Sequence, residues 1–151
     1  QEKEQKEQER VEDEMLKKLS EKIKVSLPKN LVEQEKKKML DEFRHMIESQ
    51  GGDFAQYIET QKTSEEKLLE GFQEDAEKRV KVTLILRKVA KQENIEVEDE
   101  KVEKELEVQK MQYSFNPEVV KRIESDEYFD YMRNILQNRQ AIDFLKKKIV
   151  S

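Results

Sequence analysis

The stretch EKRVKVTLILRKVAKQENIEVEDEKVEKEL, Glu77 to Leu106, decides how the whole chain folds. Its segment Val80-Lys81-Val82-Thr83-Leu84 alternates apolar and polar residues like a half-buried strand. On a helix, however, Val82, Ile85, Leu86 and Val89 share one face, and Ala76, Val80 and Leu84 continue an adjacent one. The flanks carry no turn signal that would start a hairpin, so the alternation reads as a wide helical stripe sampled at period two. Asn94 then supplies a left-handed stop, with Ile95 and Val97 folding back onto the helix, and Asp99 is the expected cap of the next one.

Working outward, the same logic covers the chain with helices. Met15, Leu16, Leu19 and Ile23 recur at spacings of three and four after a charged opening, giving a helix solvated at its start and docked near its end. Leu27-Pro28 interrupts the pattern, because proline disfavours helical geometry in the residue before it. The next helix starts with Pro28 in its first turn or Asn30 as its cap, carries Val32, Met39, Leu40, Phe43, Met46 and Ile47, and stops at Gly51-Gly52. Asp53 caps a short helix with Phe54, Tyr57 and Ile58; Thr63-Ser64-Glu65-Glu66 is a capping-box signature for a long helix running through Phe72 into the opening stretch. Asn116-Pro117 and Ser125-Asp126 start the last two helices. Acid-first pairs one turn apart, such as Glu33 with Lys37, Glu74 with Lys78 and Glu100 with Lys104, support exposed helix surface. The fold class is all-α.

Composition limits the chemistry. Charged residues make up 43% and hydrophobic ones 34%, so a single core is thin, yet a net charge of −5 and the supply of Leu, Ile, Val and Phe keep the chain above the disordered class. With no cysteine there is no disulfide, thiol nucleophile or thiolate metal site. No apolar run approaches a membrane span, and interleaved lysines and glutamates on an acidic chain argue against nucleic acid as partner. His45, the only histidine, lies between Arg44 and Met46 with only carboxylates near it, and reads as a surface residue. The serines lack a nucleophile elbow, and Gly51-Gly52 lacks the Lys-Ser/Thr of a phosphate loop. The expectation is no enzyme, no cofactor and no metal, in a cytoplasmic setting. What remains is apolar surface: a thin helical chain has more large apolar side chains than one core takes up, and such patches rimmed by charge mark interaction sites.

The opening stretch, extended to Asp75, resembles the C-terminal domain of bacterial trigger factor. In that family an acidic-Ala-Glu-Lys-Arg-Val-Lys segment leads into an aliphatic helix, a Glu-Asn/Gly-Ile-Glu-Val joint and an acidic helix start, here Asp75 to Lys81, Val82 to Ala90, Glu93 to Val97 and Asp99-Glu100. VSLPKNLVEQEKKKML (Val25 to Leu40), GGDFAQYIETQKTSEEKLLEGF (Gly51 to Phe72) and NRQAIDFL (Asn138 to Leu145) agree in order and spacing. Tyr113-Ser114-Phe115-Asn116-Pro117 and the basic Lys146-Lys147-Lys148 depart from the family pattern.

The resemblance implies an elongated multi-helix body with arm-like helical hairpins, which cradles unfolded or nascent polypeptides without ATP. It implies a linker helix over residues 1–24 and one structural unit over 25–151. The family's ribosome-docking and prolyl isomerase domains have no counterpart in these residues, so ribosome contact would pass through a part not present. Client-binding candidates are Val32, Met39, Phe43, Met46, Phe54, Tyr57, Phe72, Met111, Tyr113 and Phe115. Self-association stays open, and the alternative is a structural or dimerisation module for one specific protein partner.

Overall fold

The computed structural model describes residues 2–150. Among them the chain forms helices and no strand: α1 (Glu2–Lys22), α2 (Lys29–Ser49), α3 (Phe54–Thr60), α4 (Glu65–Gly71), α5 (Gln73–Gln92), α6 (Asp99–Gln112), α7 (Pro117–Ile123) and α8 (Asp126–Val150). The stretch from Glu77 to Leu106 is helix, joint, helix, and the all-α expectation holds. Buried residues of α5 fall on more than one side: Ala76 and Val80 lie on one, while Ile85 is about 180° from Ala76 at 100° per residue. That distribution is what produces the local alternation.

Short-range chemistry places several helix ends. Asp53 accepts from the Gln56 amide and Asn116 from the Val119 amide, each capping its helix, and Pro117 follows in the first turn, where its missing N–H costs nothing. Ser125 Oγ accepts from the Tyr128 amide at the start of α8. At the C-termini, Gly51 (φ 79°), Lys62 (φ 50°) and Asn94 (φ 50°) take the left-handed conformation. The amide after each one returns to a carbonyl five residues back: Gly52 to Ile47, Thr63 to Ile58 and Ile95 to Ala90. These are Schellman endings. Lys62 was not expected among them.

Several local expectations are corrected. Pro28, not Asn30, precedes α2, and its carbonyl accepts from the Leu31 and Val32 amides, so Asn30 already lies inside the helix. Glu98 occupies the cap position of α6 without a side-chain cap bond. Asp99 instead pairs with Arg133 of α8, a tertiary contact that outcompetes the local cap. Ser64 alone caps α4, through the Lys67 amide, and the expected long helix is divided at Phe72 into α4 and α5. The acid-first pairs Glu74–Lys78 (3.0 Å) and Glu100–Lys104 (2.8 Å) form, whereas Glu33 turns to Lys36 at 2.9 Å.

The chain divides into two compact units, one ending at Leu84 and one starting at Ile85. In the first, Val32, Met39, Ala76 and Val80 form the core, with Leu27, Leu31, Phe72 and Leu84 packed against it. Arg79 of α5 reaches Glu35 (3.4 Å) and Glu42 (3.0 Å) of α2, and Arg44 of α2 reaches Glu65 of α4 at 2.8 Å. In α1, residues 2–11 are exposed while Glu12, Met15 and Ser20 are buried and Leu16 and Leu19 half-buried, as expected for a helix that docks late, but Ile23, read as part of the same stripe, lies past the helix end and is exposed. In the second unit, Val97, Val102, Leu106, Ile123 and Met132 form the core, with Val119, Tyr128, Phe129 and Leu136 around it. Gln137 Nε2 donates to the Ile95 carbonyl at 3.0 Å, fixing the joint after α5 against α8.

Candidate functional site

No group of side chains among the described residues could hold a metal ion, and no helix there is long and apolar enough to cross a membrane. His45 is an exposed side chain 3.9 Å from Glu48. The remaining surface chemistry is that of large apolar side chains, and what covers each of them differs between the two units.

In the first unit, most of the aromatic candidates cover one another. Phe43 of α2 makes edge contacts with three rings: Tyr57 at 5.3 Å, Phe72 at 6.3 Å and Phe54 at 6.4 Å between centroids. Edge-to-face pairs place the positive rim of one ring on the negative face of another, which adds to the gain from area burial. The Arg44 guanidinium lies over the Phe54 ring at 4.8 Å while bonding Glu65, so the charge seals one side of the cluster. Val32, Met39 and Phe54 are buried; Phe43, Tyr57 and Phe72 are half-buried. Met46, one turn after Phe43 on α2, is exposed at 47%.

The second unit is different. Met111, Tyr113 and Phe115, at the end of α6 and in the joint to α7, are 68%, 45% and 80% exposed. Local bonds explain why Phe115 is presented outward. The Tyr113 amide closes α6 onto Gln109, the Asn116 amide turns back to the Tyr113 carbonyl at 2.9 Å, and the Asn116 side chain caps α7. A joint held at both ends leaves the side chain between them no core to enter. The Tyr113 and Phe115 rings lie 6.3 Å apart.

Tyr113 also lines a cleft of about 630 Å³, together with Arg122, Ile123, Tyr128 and Tyr131 among others. Tyr128 donates its hydroxyl to Gln109 Oε1 at 2.7 Å, and its ring lies 5.6 Å from that of Tyr131. Burial, reinforced by the neighbouring Tyr131, holds the Tyr128 phenol above its ordinary pKa. The cleft thus offers aromatic faces together with the Arg122 guanidinium, a mixture that suits contact with chain segments bearing both apolar side chains and carbonyls.

Of the ten candidates, Met46, Met111, Tyr113 and Phe115 are exposed; Val32, Met39 and Phe54 lie within the first unit's packing. Tyr128 and Tyr131 of α8 are not among the candidates, although they are sequence neighbours of Phe129 and Met132, which pack in the second unit's core. Tyr128 and Tyr131, three residues apart, are the signal that finds the cleft.

Fold and surface together define an all-α, multi-helix module whose most prominent chemistry is apolar and aromatic contact. The particular family follows from comparison: the model described as bacterial trigger factor protein (TF) C-terminus matches residues 1–147, and the chain belongs to that family. It is similar to the trigger factor of Shouchella clausii (34% identical over 136 residues, 89% of this chain and 31% of that protein). The Bacillus subtilis trigger factor is 38% identical over 133 residues, covering 88% of this chain and 31% of that protein. The chain spans about a third of the length of these relatives. No solved structure matches it.

Proposed function

We propose that this chain is the polypeptide-holding part of a trigger factor-type chaperone, which binds unfolded or nascent segments without ATP and delays their aggregation in the cytoplasm. The observation that carries the reading is the run of exposed side chains Met111, Tyr113 and Phe115 at the end of α6 and in the joint after it, with Tyr113 also lining the tyrosine-rich cleft, on a chain otherwise rich in charge. Family membership supports the chaperone role; the surface supports where contact is made. Met46 is proposed as a further contact in the first unit. Residues 25–151 are proposed to act as one holding module, with residues 1–24 as its linker.

The physical logic is weak binding at several places. Each exposed side chain gains on the order of 25 cal/mol per Å² when a client covers it, less the cost of ordering the client. Charged helix faces around each patch keep the chain dispersed. Patches engaged together then raise overall affinity through effective concentration.

Light scattering from a denatured protein diluted into buffer tests the proposal. A several-fold excess of the chain should delay aggregation, and unrelated unfolded chains should compete for it. Absence of any delay refutes the proposal. Binding of one stoichiometric partner without competition by unfolded chains would instead favour a partner-specific helical module.

A further inference from the structure

The methionines fall into two sharply different environments. Met15 and Met39 are each 8% exposed and Met132 is 4% exposed, whereas Met46 is 47% and Met111 is 68% exposed. Met39 and Met132 belong to the cores of their respective units, and the Met132 sulfur lies 4.0 Å from the Gln109 amide nitrogen, which donates to it. Met111 lies in the last turn of α6, two residues before the exposed Tyr113. Oxidation of methionine by a peroxide follows access to the thioether, and it turns a flexible apolar side chain into a polar one.

We infer that Met46 and Met111 are the chain's selective oxidation sites for hydroperoxides, and that their sulfoxides lower the capacity of its apolar surface to hold clients. In the reaction the sulfur lone pair attacks one peroxide oxygen. An S–O bond forms as the O–O bond breaks, sulfur loses two electrons, and the departing oxygen takes up the proton from the attacked one and leaves as water from hydrogen peroxide, or as the alcohol from an organic hydroperoxide. The product carries a strong acceptor at a place where a client would bring apolar atoms, so that contact no longer excludes water without leaving the acceptor unpaired. The three buried methionines keep their thioethers, so both cores stay packed. A thiol-dependent sulfoxide reductase reverses the change. The functional half of this inference rests on the holding role proposed above.

The test treats the 151-residue chain with dilute hydrogen peroxide. It follows each methionine by peptide mass mapping, helicity by circular dichroism, and apolar surface by binding of an environment-sensitive dye. Client holding is measured by light scattering. Met46 and Met111 should gain oxygen at least about tenfold faster than Met15, Met39 and Met132. Dye binding and holding should fall several-fold at unchanged helicity. A variant carrying Met46→Leu and Met111→Leu, compared with its own untreated sample, should lose neither on treatment. Equal oxidation of all five methionines overturns the inference, as does unchanged dye binding after complete oxidation of Met46 and Met111, or an equal loss in the leucine variant. If the untreated chain holds no client, the proposed function falls, while site mapping and dye binding still decide the oxidation chemistry.

Discussion

Replacing Phe115 by alanine separates client contact from folding. The ring is 80% exposed, so it contributes little to packing, and surface changes of this kind alter stability by no more than about 0.5 kcal/mol. Full burial of a phenylalanine side chain is worth about 1.5–3 kcal/mol, and most of that gain is still available when a client covers the ring. Alanine retains a small part of the area, so Phe115→Ala should weaken client binding by roughly 1–2 kcal/mol, a factor of about 5–30 in Kd. Fluorescence anisotropy of a labelled, permanently unfolded client measures the affinity, and thermal melting by circular dichroism measures the fold. Val102→Ala provides the contrast, because Val102 is fully buried in the second unit and its truncation should lower stability by roughly 1–3 kcal/mol. An unchanged Kd with an unchanged melt for Phe115→Ala would show that the joint is not a client contact. A large loss of stability would show that the ring is packed, and the surface assigned to it would be withdrawn.

Other outcomes follow from backbone and phenol chemistry. Lys62 carries a side chain in the left-handed region, so Lys62→Gly should raise stability by about 0.5–1 kcal/mol in urea unfolding; a loss would argue against the Schellman ending of α3. Two neighbouring glycines should respond to alanine for different reasons. At Gly51 a Cβ meets nothing within 4 Å and only the positive φ is strained, costing about 1 kcal/mol, whereas at Gly52 it meets Ile47 Cγ2 at 2.8 Å. Repacking by Ile47→Ala should therefore lessen the relative cost of Gly52→Ala and leave that of Gly51→Ala unchanged, as denaturation of the double variants would report. Tyr128 has a folded pKa above its unfolded value, so its neutral form is favoured by folding. The associated stability is complete below the unfolded pKa and lost as pH rises through the folded one, from about pH 10 upward. Tyr128→Phe should flatten that alkaline decline and, through loss of the bond to Gln109, cost about 0.5–1.5 kcal/mol at neutral pH.

How much of this was legible depended on the range of the interaction. α5 was readable because helical spacing accounted for both Val80–Leu84 and its flanks, and Asp53, Asn116, Gly51 and Asn94 announced ends that their own side chains or backbones enforce. Lys62 did not, since lysine has no intrinsic preference for the left-handed region and is held there by the bonds around it. Asp99 looked like a cap until Arg133, distant in sequence, claimed its carboxylate. For the candidate surface, residue type found Met39, Phe54, Met111 and Phe115 alike. Periodicity says that a face is apolar; only packing says what covers it, and this separates the buried Met39 and Phe54 from the uncovered Met111 and Phe115.

The ring of Phe43 joins rings from α3 and from the α4–α5 boundary to α2. Because α3 and the α4–α5 boundary both rest on this one ring of α2, neither keeps its ring contact once the second half of α2 opens. Amide protons in the second half of α2, in α3 and in α4 should therefore exchange with solvent as one cooperative group, set by a single opening free energy. Short helices such as α3 and α4, each only seven residues long, are marginal alone and would fray independently without that shared ring.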